Sequence, residues 1–343
     1  MPSIVARPGA RPGFARMFQP GALTLGLFFP LESYAGPIPR MDVLEQTAEA
    51  VLAEERGFAA LWARDVPLFD PTFGDTGQMF DPWVWLTHIA GRTSQIALAT
   101  GSTVLPLRNP IDIAKAAASL DLLSGERLVL GAATGDRGVE FPAFGLNRDD
   151  SGELFRASID SIRRMWAQDF PNVDSPYGVM RDVGLLPKPA DRVIPMLVTG
   201  RSMQSLPWIA EHADGWLMYP RPVAEQQQVI TEWRQALDEG GFGAKPFAQS
   251  LYIDLTENAD TGPHPIHLGY RTGQRFLIEY LGGLREAGVN HVVLNLKHGR
   301  RPATHVLRQL AEYVLPHFPT PSATGGDRPT LAESAYVVTD QPT

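Results

Sequence analysis

Small and charged residues follow directly after a short apolar run near the middle of the sequence. Residues 128–130 are Leu-Val-Leu, five small residues follow them, and a charged loop with Asp136 and Arg137 comes next. An apolar run that passes into glycines and then into charge predicts a buried parallel strand that ends in a loop. Because small residues let a bulky, flat molecule lie against the backbone, we expect Thr134, Asp136 and Arg137 to line a ligand site.

A second candidate segment has the sequence TGRSMQS over residues 199–205 and also follows an apolar run. It places a glycine, a basic side chain and hydroxyls where a helix is expected to begin. Backbone N–H groups and the positive end of the helix dipole converge at such a position and favour a bound anion. The residues expected to contact that anion are Gly200, Arg201, Ser202 and Ser205. The alternative is that Ser202 only caps the helix.

Two further apolar runs end in residues that suit a ligand site. Thr100, Gly101 and Ser102 follow one run and are small enough to form a tight wall against a ring, although an ordinary loop after a strand has the same composition. Arg64 and Asp65 follow the other run and are the candidate catalytic residues, since both could contact a substrate. For this pair we prefer the alternative of a structural ion pair at the rim of the fold.

Other catalytic arrangements have little support in the sequence. His264 and His267 have a spacing that occurs in metal sites, but no carboxylate joins them at ligand spacing, so we expect no metal. The sequence contains no Gly-x-Ser-x-Gly motif and no phosphate-binding loop with a Walker lysine. Acyl transfer by a serine and nucleotide hydrolysis are therefore not expected.

Composition excludes several function classes. The 343 residues carry a formal net charge of −8 and show no basic stripe, which argues against a nucleic-acid partner. The absence of cysteine excludes disulfides, thiolate catalysis and cysteine-ligated metal centres, and it fits a cytoplasmic protein. No apolar run approaches the roughly 20 residues that a membrane helix needs, so no membrane association is expected.

Strand and helix patterns alternate eight times, which predicts an α/β protein with a (β/α)8 TIM barrel. A doubly wound open sheet is the alternative. The expected strands are 23–29, 59–63, 96–100, 128–130, 194–198, 215–219, 248–255 and 291–296. The expected helices are 39–56, 81–92, 109–123, 150–168, 203–212, 223–239, 272–287 and 302–315.

The patterns also suggest how the chain is divided. Two irregular insertions are expected, at 169–192 after the fourth helix and at 258–271 after the seventh strand. We predict a flexible N-terminal arm over 1–20, one barrel domain over 21–318 and a flexible tail over 319–343. Because active sites of such barrels lie at the carboxyl ends of the strands, the segments above are expected to meet at one end of the barrel.

Several motifs together resemble the bacterial luciferase-like family of flavin-dependent monooxygenases, most closely its FMN-type oxidoreductases of unassigned substrate. The matching segments are LTLGLFFPL at 23–31, ALWARDVP at 60–67, the whole of 96–135, GVEFPAFG at 138–145 and VTGRSMQSLPWIAEHADGWLMYP at 198–220. The resemblance covers roughly residues 23–220 and continues more weakly to about 315. It implies a luciferase-like barrel with FMN bound across its C-terminal mouth.

The resemblance also implies roles for individual residues. Thr134, Arg201, Ser202 and Ser205 fall on phosphate contacts of the family. Thr100–Gly101 falls on a non-proline cis peptide that supports the flavin ring. Phe28 is a further candidate for cofactor binding. Val66 stands where a luciferase subunit has its catalytic histidine. Oxidation of long-chain aldehydes with light emission is therefore not expected here.

These observations lead to one preferred function and to alternatives. We expect a flavoprotein monooxygenase that uses reduced FMN, supplied by a separate flavin reductase, and O2 on a small, largely apolar substrate. Aromatic residues expected near that substrate are Phe28, Phe29, Trp62 and Tyr219. Packing inside the barrel is the alternative for all four, and we prefer it for Trp62. The resemblance further implies a homodimer. The alternatives are a hydride-transfer oxidoreductase that uses the deazaflavin F420, with Arg137 and Arg148 near its longer anionic tail, and a flavin-binding protein without turnover.

Overall fold

A closed barrel of parallel strands forms the centre of the protein. The computed structural model describes residues 11–32, 42–70, 72–73 and 79–320. Within these residues the barrel strands are β1 (Thr24–Phe29), β2 (Ala60–Ala63), β3 (Ala97–Thr100), β5 (Leu128–Ala133), β8 (Met196–Thr199), β9 (Gly215–Met218), β10 (Phe247–Leu255) and β13 (His291–Asn295). Each strand pairs in parallel with the next, and β13 pairs with β1. The closed ring confirms the expected (β/α)8 barrel and excludes the open sheet.

Five further strands in the described part of the chain lie outside the ring. They are β4 (Thr103–Val104), β6 (Val173–Ser175), β7 (Gly178–Met180), β11 (His264–Ile266) and β12 (Gly269–Thr272). The insertion expected at 169–192 contains the antiparallel hairpin of β6 and β7. The insertion expected at 258–271 contains the hairpin of β11 and β12, and β12 also pairs in parallel with β10. Both insertions therefore hold more regular structure than their composition suggests.

Most of the described helices surround the ring. They are α1 (Pro12–Met17), α2 (Val43–Glu55), α3 (Pro82–Ala90), α4 (Pro110–Ser124), α5 (Glu140–Ala143), α6 (Ser151–Ala167), α7 (Leu206–His212), α8 (Val223–Gly240), α9 (Gln274–Ala287) and α10 (Ala303–Gln309). A π-helical segment, Leu310–Val314, extends α10. No helix in the described part of the chain has both the length and the apolar character of a membrane span.

Local chemistry explains where these helices begin. The side chain of Asp81 accepts hydrogen bonds from the backbone N–H groups of Trp83 and Val84 at the start of α3, and Pro82 occupies the first turn. Asn109 caps α4 in the same way through Ile111. A cap followed by proline satisfies N–H groups that have no partner within the helix. These two starts agree with the sequence analysis.

The N-terminal segment differs from expectation over residues 11–20, where a flexible arm was predicted. Phe14, Met17 and Phe18 are buried against Val293 and other residues inside the barrel, so α1 closes the end opposite to the mouth. Arg11 is buried as well and forms an ion pair with Asp121 of α4. Residues 1–10, the expected helix start at 39–41 and the tail from 321 lie outside the described residues.

A series of hydrogen bonds joins α1 to the barrel wall. The indole N–H of Trp62 donates to Nε2 of His291 at 3.0 Å, and Nδ1 of His291 lies 2.7 Å from the hydroxyl of Thr24. The Thr24 hydroxyl in turn donates to the carbonyl of Met17 at 2.6 Å. Burial lowers the pKa of His291 to about 3, so the ring is neutral and its Nδ1–H donates to Thr24.

Candidate functional site

A cavity of about 210 Å³ opens at the carboxyl ends of the strands. Its walls come from the segments that follow β2, β3, β5, β8 and β9. The sequence-predicted residues that line it are Arg64, Asp65, Gly101, Ser102, Thr134, Asp136, Arg137, Gly200, Arg201 and Ser202. Three other residues predicted to bind the cofactor, Phe28, Thr100 and Ser205, are outside this lining. The barrel therefore brings together segments that are far apart in the sequence.

The floor of the cavity consists of small residues after β3. A non-proline cis peptide joins Gly101 to Ser102. The expectation that placed this bond between Thr100 and Gly101 is wrong by one residue. A Cβ at Gly101 would overlap the ring of Phe28, with its Cζ atom 2.9 Å away, so only glycine fits between that ring and the cavity. Phe28 supports the floor from below and is 6% exposed.

Hydroxyl groups connect the floor to the neighbouring wall. The Thr100 hydroxyl donates to the carbonyl of Gly131 at 2.8 Å, which holds β3 against β5 and keeps Thr100 out of the lining. The hydroxyls of Ser102 and Thr199 form a short hydrogen bond across the site. Together these contacts hold the loop after β3 in a fixed position relative to the end of β8.

The wall after β8 is a tight turn that precedes a helix. Gly200, Ser202 and Met203 all have positive φ, and the Ser202 hydroxyl donates to the carbonyl of Thr199 at 2.8 Å. The helix begins only at Leu206, later than the sequence suggests, and Ser205 is its N-cap. Ser205 thus caps α7 and does not face the cavity.

Arg201 extends from this turn towards solvent. Its guanidinium lies 5.4 Å from the ring centroid of Trp216 and 3.7 Å from the carboxylate of Glu232. The side chain is 49% exposed, so it can move onto a ligand in the cavity at little cost. Arg201 and the hydroxyls of Ser202 and Thr134 form the end of the cavity that can receive an anion.

Asp65 is held by a neighbour that the sequence analysis did not name. Arg108 donates two hydrogen bonds to its carboxylate, at 2.6 and 2.9 Å, and also contacts Asp81 at 3.0 Å. The backbone N–H of Val104 donates to the same carboxylate at 3.1 Å. Asp65 therefore fixes the loop after β3. Its partner is Arg108 rather than the adjacent Arg64.

Several ionisable groups lie at the mouth with altered proton affinity. Burial lowers the pKa of Lys297 well below its usual range, and the positive charges of Arg64 and Arg137 lower that pKa further. Burial also lowers the pKa of Arg64. Tyr219 and Tyr252 have pKa values raised by burial, so both stay neutral well above pH 7.

Phe29, expected to form a substrate wall, belongs to the core instead, and Trp62 belongs to the core as preferred in the sequence analysis. They are 2% and 0% exposed, and the Trp62 indole is bonded to His291. Tyr219 does line the cavity and is 45% exposed. Among the residues that the structure describes, no group of three or more His, Asp or Glu side chains is arranged to hold a metal ion.

The sequence model of a family described as luciferase-like monooxygenase matches residues 23–256. The chain belongs to this family. Its members include oxidoreductases, and the protein is an enzyme of that class. The match covers the segments that form the cavity up to the end of β10.

Relatives of this chain differ in the cofactor that their names specify. An F420-dependent hydroxymycolic acid dehydrogenase of Mycobacterium tuberculosis is 31% identical over 180 residues, which cover 51% of this chain and 49% of the relative. The oxygenase component of a flavin-dependent trigonelline monooxygenase of Acinetobacter baylyi is 24% identical over 151 residues, 43% of this chain and 41% of the relative. The matches thus cover half or less of the length of each of these two relatives.

A solved structure shows the same fold. Monooxygenase RslO1 from Streptomyces bottropensis superposes with a TM-score of 0.72 at 20% identity, over 86% of this chain and 99% of that chain. At this level of identity the likeness is one of fold. It supports the luciferase-like barrel and carries nothing about substrate.

Two residues at the mouth of this luciferase-like barrel had no prominent place in the sequence analysis. Glu140 lines the cavity and is 1% exposed, and burial raises its pKa. Its Oε1 atom accepts no hydrogen bond from any described residue. Lys297 is 4% exposed and follows β13. Both residues are nevertheless marked in the sequence as charged residues that follow apolar runs, Glu140 in the charged loop after β5 and Lys297 after β13.

Proposed function

We propose that the protein is an FMN-dependent monooxygenase that uses reduced FMN and O2 to oxidise a small organic substrate. The observation that carries this proposal is the shape of the cavity. A floor of small residues, Gly101 and Ser102, continues into a wall of hydroxyls that ends at Arg201. A flat ring suits the floor and a phosphate suits the end with hydroxyls and a cation.

The residues present fit such a cofactor on steric grounds. Only glycine fits the floor at position 101, because a Cβ there would overlap Phe28. A Cβ at Gly131 would overlap the carbonyl of Thr100, so glycine there lets β5 approach β3 behind the floor. At the wall, Gly135 has φ +88°, and a Cβ there would lie 2.7 Å from Val104. These glycines keep a flat surface open beside polar groups that can bind a phosphate.

The chain's own residues would bind and orient the reactants. Bound reduced flavin supplies the electrons that allow one oxygen atom of O2 to be inserted into the substrate. Thr134, Arg201 and Ser202 would hold the phosphate, and Gly101 with Ser102 would support the ring. Tyr219 would cover part of the cavity and reduce the access of water. No role as proton donor is assigned to Asp65, because Arg108 and Val104 occupy its carboxylate.

A separate flavin reductase is proposed as the source of reduced flavin. The support is the name of the Acinetobacter baylyi relative, which is an oxygenase component and so takes its electrons from another protein. A cytoplasmic location likewise remains a prediction from composition.

The second candidate cofactor is F420, with hydride transfer as the reaction. The relative named as an F420-dependent dehydrogenase supports it. Arg137 lies in the loop after β5, with its guanidinium 4.2 Å from the ring centroid of Phe73. Arg148 reaches the same loop beside Gly138. These two cations stand where a longer anionic tail could extend from the cavity.

The cofactor is tested by titrating the purified full-length protein with FMN and with F420 and following the absorption spectrum. We expect FMN to bind more tightly, and O2 consumption with reduced FMN to rise above the protein-free rate for a subset of small organic substrates. Tighter binding of F420 with hydride transfer would select the second candidate. Flavin binding with no increase in O2 consumption across a broad substrate panel would indicate a binding protein.

We also propose a homodimer that forms through α2 and α3. Leu44 is 81% exposed and Val84 is 69% exposed. The two helices are neighbours, since the Thr47 hydroxyl lies 3.0 Å from Nε2 of His88. Burial of these apolar side chains against a second copy would contribute favourable free energy. Light scattering should give twice the monomer mass, and Leu44→Glu should shift the protein to monomers.

A further inference from the structure

Glu140 is a buried acidic side chain in the cavity wall with an incomplete set of hydrogen bonds. The residue is 1% exposed, lines the cavity and begins the short helix α5 after β5. The backbone of Leu68, in the segment after β2, forms a hydrogen bond with its carboxyl group. The Oε1 atom is buried and accepts no hydrogen bond from any described residue. One carboxyl oxygen in the cavity wall therefore lacks a partner in the described part of the chain.

A buried carboxyl oxygen without a hydrogen bond is unusual in a folded protein. The large majority of buried polar side-chain atoms have a partner, because a group without one gives up its bonds to water and gains nothing in return. Burial raises the pKa of Glu140, and the nearby carboxylates of Asp65 and Asp136 raise it further, whereas the positive charge of Arg137 lowers it. A carboxyl group that is destabilised in this way beside a cavity is a candidate for contact with a ligand.

The loop that carries Glu140 lies on the side of the cavity away from the proposed phosphate. Phe141, the next residue, packs against Val104 and Leu107, which follow β3. A Cβ at Gly135 would lie 2.7 Å from Val104, so the loop after β5 approaches the segment after β3 closely. Around the ring β5 stands between β3 and β8. The loop therefore extends from β5 towards β3 and β2, whereas the proposed phosphate site follows β8 on the other side of β5.

The other residues on this side of the cavity decide which chemical group suits Glu140. Val66 and Val104, from the segments after β2 and β3, line the cavity and offer apolar surface. Arg64 and Arg137 line it as well, and their positive charges would repel a cationic group. The terminal torsion of a glutamate side chain is soft, so Oε1 can turn towards a molecule in the cavity at low cost. An uncharged N–H or O–H donor on an otherwise apolar molecule therefore matches this side of the cavity.

We propose that the substrate is a largely apolar molecule with an uncharged N–H or O–H group, which donates a hydrogen bond to Oε1 of Glu140. The apolar part of the substrate contacts Val66 and Val104. This substrate class rests on the proposed function, in which the cofactor occupies the floor at Gly101 and the phosphate end at Arg201. Glu140 then selects among substrates, because an analogue without the donor leaves Oε1 buried and without a partner.

The test is calorimetric titration of the full-length protein, with its oxidised cofactor bound, using indole and benzofuran. These two molecules have nearly the same shape, but indole has an N–H donor where benzofuran has an ether oxygen that can only accept. The oxidised cofactor supplies no electrons, so neither molecule is oxygenated during the titration. We expect indole to bind at least about tenfold more tightly than benzofuran, since only indole can donate to the carboxyl group.

Glu140→Gln should remove the preference for indole. The amide is almost the same size as the carboxyl group, and its oxygen can keep the hydrogen bond to Leu68, which leaves the NH2 group in the position of Oε1. Because this group donates and does not accept, indole should lose about tenfold in affinity, whereas benzofuran should lose less than about twofold. The matched control is Glu153→Gln, which makes the same charge change at an exposed residue in the first turn of α6 and should leave both affinities within about twofold.

Cofactor binding, measured separately by absorbance, distinguishes the possible failures. Equal affinities for indole and benzofuran, no detectable binding of indole, or an unchanged preference in Glu140→Gln would overturn the proposal. So would a Glu140→Gln variant that loses as much affinity for the cofactor as for indole, because the carboxyl group would then serve the cofactor. If the protein binds neither FMN nor F420 yet prefers indole through Glu140, the proposed function fails and the hydrogen-bonding site stands. Glu140→Asp, which withdraws the carboxyl oxygens by one methylene group, replaces Glu140→Gln if the latter does not fold, and it should weaken indole by more than about threefold.

Discussion

Asp65 and Arg108 form a bidentate ion pair between the ends of β2 and β3, with hydrogen bonds of 2.6 and 2.9 Å. The aspartate side chain is 1% exposed and the arginine 26% exposed. Arg108→Met would leave the buried carboxylate with only the N–H of Val104 among these partners. We expect a loss of roughly 1–3 kcal/mol in the free energy of unfolding, below the full value for a buried pair because Arg108 is partly hydrated.

Urea denaturation measures this loss. Arg164→Met is the control, because Arg164 pairs with Asp160 on the exposed side of α6 and should change stability by less than about 0.5 kcal/mol. If Arg108→Met and Arg164→Met are equally stable, the ion pair does not hold the loop. The loop carries the cavity floor, so Arg108→Met should also weaken cofactor binding.

Gly101 and Phe28 constrain each other at that floor. A Cβ at position 101 would overlap the Phe28 ring and approach Trp62 at 3.1 Å. Gly101→Ala should therefore lower the free energy of unfolding by about 1–3 kcal/mol and reduce cofactor affinity, since overpacking displaces the neighbouring side chains. Thermal unfolding and absorbance titration measure the two effects.

The double variant Phe28→Leu/Gly101→Ala checks the cause. A smaller side chain beneath the floor should restore part of the stability lost in Gly101→Ala. Gly282→Ala in α9 is the control, because a Cβ there meets no atom within 4 Å and alanine is the better helix former. No recovery in the double variant would mean that the overlap with Phe28 is not the source of the effect.

Local patterns predicted the closed barrel, but they did not predict that α1 covers the end opposite to the mouth. Alternating strand and helix patterns are properties of neighbouring residues, and they predicted the barrel. Helix α1 was missed because proline and arginine dominate its surroundings in the sequence. The burial of Phe14 and Met17 depends on contacts with strands that are distant along the chain. No local pattern indicates such contacts.

The position of the site could likewise be predicted from local patterns, whereas the contacts within it could not. Residues after apolar runs, such as Gly101, Thr134 and Ser202, could be placed at the mouth because parallel strands end together. The partner of Asp65 could not be predicted, since Arg108 lies in a different loop and only the folded structure brings the two side chains together. Whether a hydroxyl caps a helix or faces a ligand, as for Ser205, likewise depends on where the helix begins.

His291 should make stability depend on pH in the acid range. Its pKa is about 3 in the folded protein, and that of an unfolded histidine is about 6.5. Below pH 6.5 the unfolded chain binds a proton that the folded protein does not accept until about pH 3. Stability should therefore fall as the pH drops through this window, by roughly 3–5 kcal/mol for full burial.

Denaturation of the wild type and of His291→Asn at several pH values isolates this contribution. The variant loses the bonds to Trp62 and Thr24 and should be less stable at pH 7, but the difference between the two proteins should shrink towards pH 4. A constant difference across the range would show that His291 is not the titrating group. Stability loss through buried carboxylates would affect both proteins alike.

Arg201 distinguishes the phosphate from the ring of the cofactor. Its exposed guanidinium stands beside the turn after β8, where the proposed phosphate would bind. Arg201→Glu replaces attraction by repulsion and should weaken FMN by more than about tenfold, whereas riboflavin, which lacks the phosphate, should lose less than about twofold. Fluorescence quenching of each flavin gives both affinities. Arg192→Glu makes the same charge change at an exposed arginine that pairs with Asp169, and it controls for long-range effects. An equal loss of FMN and riboflavin affinity in Arg201→Glu would place the phosphate elsewhere in the cavity.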